Sequence, residues 1–105
     1  MDADGYPDKS ELAIIKNWQF TNGTIDYVEF TEYVQQLWHW TRYTHFDQDG
    51  NIFKLSTGGW SGNEEIIAAM QSNHMFWIMY WWSSRRGGHY VFCPVGDTDK
   101  IGGNT

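Results

Sequence analysis

One cysteine, seven basic residues and no long apolar run: these shortages already narrow what this 105-residue chain can be. With Cys93 alone, no internal disulfide can form and no cysteine-based zinc site can be built. Seven Lys and Arg stand against thirteen Asp and Glu, a formal charge of −6. A general nucleic-acid binder needs a basic stripe to displace counterions, so direct nucleic-acid binding is not expected. The charge suits solubility and permits a partner with a basic surface. The most apolar run, Met75 to Trp82, is far too short to span a bilayer, so no membrane association is expected. The opening "MDADGYPDKS" is acidic and polar and does not read as a signal peptide. A reducing cytoplasm fits both observations.

What the chain does have is aromatic mass. Aromatic residues make up 18% of it, including seven Trp, within an apolar total of 41%. Each such side chain buries a large area, so a few of them can hold together one small domain. Core packing is the expected role for most of the seven. Exposed ones would instead mark a binding surface.

Local signals then order the elements. Asp8 and Glu11 have capping-box spacing, and Leu12, Ile15 and Trp18 recur at helical spacing, which predicts a helix from Lys9 to Trp18. Asn22-Gly23 ends it. Asp26 and Glu29 predict a second cap, with Ile25 and Phe30 as a hydrophobic staple. Tyr27, Phe30, Val34, Leu37 and Trp38 mark one face of that helix through His39. β-formers on both sides of Asp47-Gln48-Asp49-Gly50-Asn51 predict a hairpin. Ser61 and Glu64 predict a third cap and a helix to Ser72, with Ile66, Ile67 and Met70 buried. "MFWIMYWW" is apolar at both parities and reads as a central strand, turned by "SSRRGG" into its partner "HYVFCPV". Residues 96–105 read as a flexible tail. The expected fold is a single α+β domain: two N-terminal helices, then a β-hairpin, a short helix and a second β-hairpin around one mostly antiparallel four-stranded sheet.

Few motifs carry chemistry. Asp2-Ala3-Asp4-Gly5 matches only the middle of a calcium loop, and around Asp47-Gln48-Asp49-Gly50 the first and last ligand positions would fall to His45 and Ser56. Gly59-Trp60-Ser61-Gly62-Asn63 misses the final glycine of a nucleophile elbow, so Ser61 is better read as a helix cap. His39, His45, His74 and His89 lack a paired metal spacing. No metal and no cofactor are expected.

One constellation remains. If the strand ending near Thr57 and a strand beginning near Met75 were parallel neighbours, the Gly58–Gly62 loop and the Arg85–His89 turn would meet. Backbone donors of Gly59 and Gly62, the cations Arg85 and Arg86, and His89 as general acid or base would then suit an anionic ligand. Glu64 and Glu65 at the helix start oppose an anion there. An arginine paired with either glutamate would instead lock the two loops together. Glu64 is also a candidate base.

The segments "DADGYP", "TGGWSGNEEII", "MFW" and "SSRRGGHYVF", in this order, resemble a group of short uncharacterised proteins encoded by tailed bacteriophages. The resemblance implies synthesis in the cytoplasm of an infected host and an accessory role. Together with the charge and the aromatic excess, it points to a small protein that binds and modulates or inhibits a host or phage protein without catalysis, with Trp40, Tyr43, Trp60 and Trp82 as candidate contacts. A small anionic-ligand site, enzymatic or sequestering, is the alternative. A homodimer is compatible with both.

Overall fold

The structure, a computed structural model, describes residues 5–94. The expected tail over 96–105 lies outside the described residues. The element order is α1 (Lys9–Asn17), α2 (Thr24–Leu37), β1 (His45–Asp49), β2 (Ile52–Ser56), α3 (Ser61–Ser72), α4 (His74–Tyr80), β3 (Trp81–Arg85) and β4 (His89–Phe92). The four strands form one antiparallel sheet in the order β1-β2-β4-β3. The chain is α+β, as its local signals predict.

The first cap is complete. The Asp8 carboxylate accepts the Glu11 amide at 2.8 Å, and the Glu11 side chain returns to the Asp8 amide at 2.9 Å. Hydrogen bonds from the Ser10 hydroxyl and the Glu11 amide hold the Asp8 carboxyl below its ordinary pKa. This cap is therefore fully present above the ordinary carboxylate pKa and is lost as pH falls through the lowered one.

The second start differs in detail. α2 begins at Thr24 after Gly23, which caps it without a side chain. Asp26 already lies inside the helix, and its carboxylate reaches back to the Asn22 amide at 2.7 Å. Ile25 is 64% exposed, so no staple forms. The predicted face holds: Tyr27, Phe30, Val34, Leu37 and Trp38 are all buried.

The apolar run near residue 78 corrects the expected strand. His74–Tyr80 is helix α4, and the strand starts only at Trp81. Asn73 explains the switch. Its side-chain oxygen caps α4 by accepting the Phe76 amide at 3.1 Å, while its amide group donates to the carbonyls of Ile15 and Trp18 at 2.9 and 3.1 Å. One buried side chain thus starts α4 and ties it to the end of α1. Phe76 and Tyr80, one helical turn apart, enter the core, while Met75 and Ile78 face outward.

The core is an aromatic cluster between the helices and one face of the sheet. Phe76 packs on Phe30 at 4.5 Å and on Phe92 at 5.1 Å between ring centroids; Tyr27 stacks on Tyr80 at 4.3 Å. Phe46, Phe53 and Leu55 close it from the sheet side. Tryptophan contributes less than expected. Only Trp38 is fully buried; Trp18, Trp60, Trp77 and Trp82 are half-buried, and Trp40 and Trp81 are exposed.

Two substitutions separate the helical placement of α4 from a strand. Phe76→Ala should cost about 3–5 kcal/mol, as for a fully buried ring. Ile78→Ala, at a site 81% exposed, should stay within about 0.5 kcal/mol. Denaturant unfolding reads both, and a large loss at Ile78 would contradict this packing.

Candidate functional site

The two glycine-rich segments do meet, by a route different from the expected one. β2 is not the parallel neighbour of the apolar run. It pairs antiparallel with β4, placing Ser56 opposite His89. The end of β2 therefore lies against the start of β4. The Thr57 amide donates to the Gly88 carbonyl at 3.0 Å. Gly88 has φ +79, and a Cβ there would lie 2.2 Å from the Thr57 hydroxyl oxygen. Only glycine permits both this backbone conformation and this approach.

The predicted ligand residues are divided by this geometry. Gly62 is buried, and a Cβ on it would lie 2.7 Å from the Trp60 indole nitrogen, so it is a packing glycine and not a ligand donor. Gly59 is exposed, and its amide turns back to the Thr57 hydroxyl. Ser61 is not a cap. It is the first residue of α3, which starts without a side-chain cap, and its hydroxyl bonds the Tyr6 hydroxyl at 3.0 Å. Asn63 secures this helix start instead. It is fully buried, accepts the His39 amide at 2.8 Å and donates to the His39 carbonyl at 3.1 Å. Arg85 and Arg86 do not pair with Glu64 or Glu65; neither guanidinium has an ion pair or hydrogen bond with a described residue. Arg86 belongs to the β3–β4 turn, whereas Arg85 and His89 face one another across the strands.

Of the predicted partner contacts, Trp40 is 54% and Tyr43 63% exposed, both in the segment before β1, with Arg42 over the Tyr43 ring. Trp60 is occupied, stacked on His39 at 4.2 Å and in tilted contact with Tyr6 at 4.8 Å. Trp82 lines a groove on the sheet.

That groove is the site. Side chains alternate across a sheet, so the strands that turn Phe46, Phe53, Leu55 and Phe92 to the core turn a second set to the opposite face. The pairing register aligns His45, Ser56, His89 and Arg85 in one row across all four strands. The next row is Asp47, Lys54, Val91 and Ser83. These residues line an open groove of about 710 Å³, and no described helix covers it.

Within the groove the Ser56 hydroxyl lies 2.7 Å from His89 Nδ1. If the hydroxyl donates, the ring proton resides on Nε2 and is available as a second donor. The pair has the spacing of a nucleophile and base, which the sequence alone does not reveal. It lacks the third group that orients a catalytic imidazole, since the His89 ring has no other hydrogen-bond partner among the described residues. Lys54 and Arg85 both border the groove without a described partner; Asp47 is its one lining carboxylate, directly across from Lys54. Among the described residues no group of three His, Cys, Asp or Glu is placed to hold a metal ion. The first row offers a hydroxyl, two imidazoles and a guanidinium, of which Ser56, His89 and Arg85 are on neighbouring strands, and the next row adds an ammonium and the Asp47 carboxylate. That is chemistry for an oxyanion.

Ser56, His45 and Lys54 escape a motif scan. Their only sequence signal is a polar residue at alternate strand positions, and which strands adjoin is not written locally. Comparison with protein-family models, curated proteins and solved structures gives no match.

Gly59 and Gly88 provide a test of the seam. Both have positive φ, but a Cβ at Gly59 would meet nothing within 4 Å. Gly59→Ala should cost about 1 kcal/mol from backbone strain alone. Gly88→Ala adds a collision with Thr57 and should lower the melting temperature distinctly further. Equal losses would mean that the Thr57–Gly88 approach does not constrain the fold.

Proposed function

We propose that the protein is a small non-catalytic binding protein that takes an anionic group, a phosphate or carboxylate, on the helix-free face of its sheet. The observation that carries this reading is the row His45, Ser56, His89 and Arg85, flanked by Lys54, in a chain whose charge is otherwise acidic. A net charge of −6 repels anions in general, so two cations against one carboxylate, Asp47, make this face locally attractive to an anion in an otherwise acidic chain. The alternative of catalysis has less support, because the Ser56–His89 pair has no orienting partner among the described residues.

Titration of the isotopically labelled protein with inorganic phosphate tests this reading by NMR. Amide shifts should concentrate at Ser56, Arg85 and His89. Arg85→Ala and His89→Ala should each weaken binding at least about tenfold, the loss of one charge-assisted or strong hydrogen bond. Arg86→Ala, outside the groove, should leave it unchanged. Absent or scattered shifts would refute the anion site.

A second reading keeps the protein as an accessory factor, made in the cytoplasm of an infected host, that docks on and inhibits a host or phage protein. What supports it is the exposure of Trp40 and Tyr43, large rings of the kind that anchor interfaces. A double Trp40→Ala, Tyr43→Ala variant should stay folded, melting slightly below the parent chain because Trp40 also touches Phe46, yet retain no partner when used as bait in an infected-cell lysate. Retention of the same partner by parent and variant would exclude this surface.

A further inference from the structure

Among the residues that line the groove, Trp82 is the one indole, and anion binding does not require it. Trp82 enters it through an irregularity in β3. Trp81 pairs with Phe92 and Ser83 with Val91, so Trp82 is an extra residue without a partner on β4. In a regular strand Trp82 and Ser83 would point to opposite faces. The bulge turns both to the groove side, and both line it. Bulges of this kind redirect a side chain at the cost of a regular ladder.

The indole makes no aromatic contact there. Each of the other six tryptophans contacts another aromatic ring: Trp18 with Phe30, Trp38 and Trp40 with Phe46, Trp60 with His39, and Trp77 with Trp81. The Trp82 side chain has no ring contact and no hydrogen bond with any described residue. It is a half-buried indole on a polar sheet face, beside cations.

We propose that the ligand of this groove is a mononucleotide, with its phosphate on Ser56, His89 and Arg85 and its base stacked on Trp82. This inference rests on the reading of the groove as an anion site. Arg85 and Trp82 are three residues apart on one strand, at most about 10 Å and less where the bulge bends it. A ligand that uses both ends carries an anionic group and a planar ring separated by a polar spacer. Lys54 and Ser83, on the intervening row, meet that spacer. A bare phosphate leaves Trp82 unused, and an uncharged ring leaves the cations unused. The groove volume of about 710 Å³ falls within the range of small-ligand sites. A longer nucleic acid would meet the acidic remainder of the chain, which opposes tracking along many phosphates.

Isothermal titration of the full chain with adenosine 5′-monophosphate, ribose 5-phosphate and inorganic phosphate tests the proposal. The nucleotide should bind at least about tenfold more tightly than either other anion, consistent with one base stacked on an aromatic ring. Trp82→Ala should remove that advantage while leaving inorganic phosphate affinity unchanged; Trp82→Phe, which keeps a ring, should restore part of it and guards against a misfolded alanine variant. Arg85→Ala should weaken all three ligands together. If phosphate binds but the nucleotide binds no better, or its advantage survives in Trp82→Ala, the nucleotide assignment is wrong and the anion site stands. If none of the three binds, the anion reading fails and the nucleotide assignment with it. A single-stranded oligonucleotide that binds more tightly than the mononucleotide would also overturn the assignment.

Discussion

The antiparallel seam between β2 and β4 is the constraint from which the rest of this molecule follows. Two hairpins far apart in sequence are each marginal alone, because a two-stranded ribbon buries too little. Pairing Phe53 with Phe92 and Ser56 with His89 joins them into one sheet. At its end the Thr57 amide meets the Gly88 carbonyl, where a glycine leaves room for the threonine. The same register gives the core its Phe53–Phe92 edge and aligns the polar row on the other face. Core and site are two faces of one pairing.

The helices make those faces unequal. Tyr27, Phe30, Phe76 and Tyr80 fill one side with rings, and the Tyr27 hydroxyl donates to the carbonyls of Asn51 and Phe92, tying α2 to the first hairpin and to β4. Two buried asparagines hold the connections. Asn63 binds the segment after α2, and Asn73 joins α1 to α4. Each satisfies backbone groups that would otherwise be buried without partners, which is why a polar side chain is tolerated in such positions. The opposite face receives no described helix and keeps its charged and polar side chains.

Chemically, that face reverses the sign of the chain. A protein with nearly twice as many acids as bases concentrates Lys54, Arg85 and two imidazoles around a Ser56–His89 hydrogen bond. The bulge at Trp82 adds an unstacked indole at the margin. Polar donors with one aromatic surface are a composition for recognition, and their setting on strands makes their spacing more rigid than a loop would.

Elements whose reason is local were legible in the sequence. The Asp8–Glu11 box starts α1 as its spacing requires, and the apolar face of α2 is buried where the 3.6-residue period places it. The first hairpin was legible only in part: it turns at Gly50-Asn51, but Asp47, Gln48 and Asp49, read as turn residues, belong to β1 and pair with β2. Residues 75–82 were not legible, because a short run that is apolar at every position carries neither period. Asn73 decided it, by anchoring to carbonyls of Ile15 and Trp18 that lie more than fifty residues earlier in the chain. Arg85 and His89 were visible as candidates by residue type, but Ser56, Lys54 and His45 were not, since each is an ordinary polar residue on its own strand. Chain-local chemistry determined which segments are helices or hairpins. Only the tertiary structure decided which strand edges meet, and so which side chains share a row, because backbone pairing between distant strands depends on the whole core that both must cover.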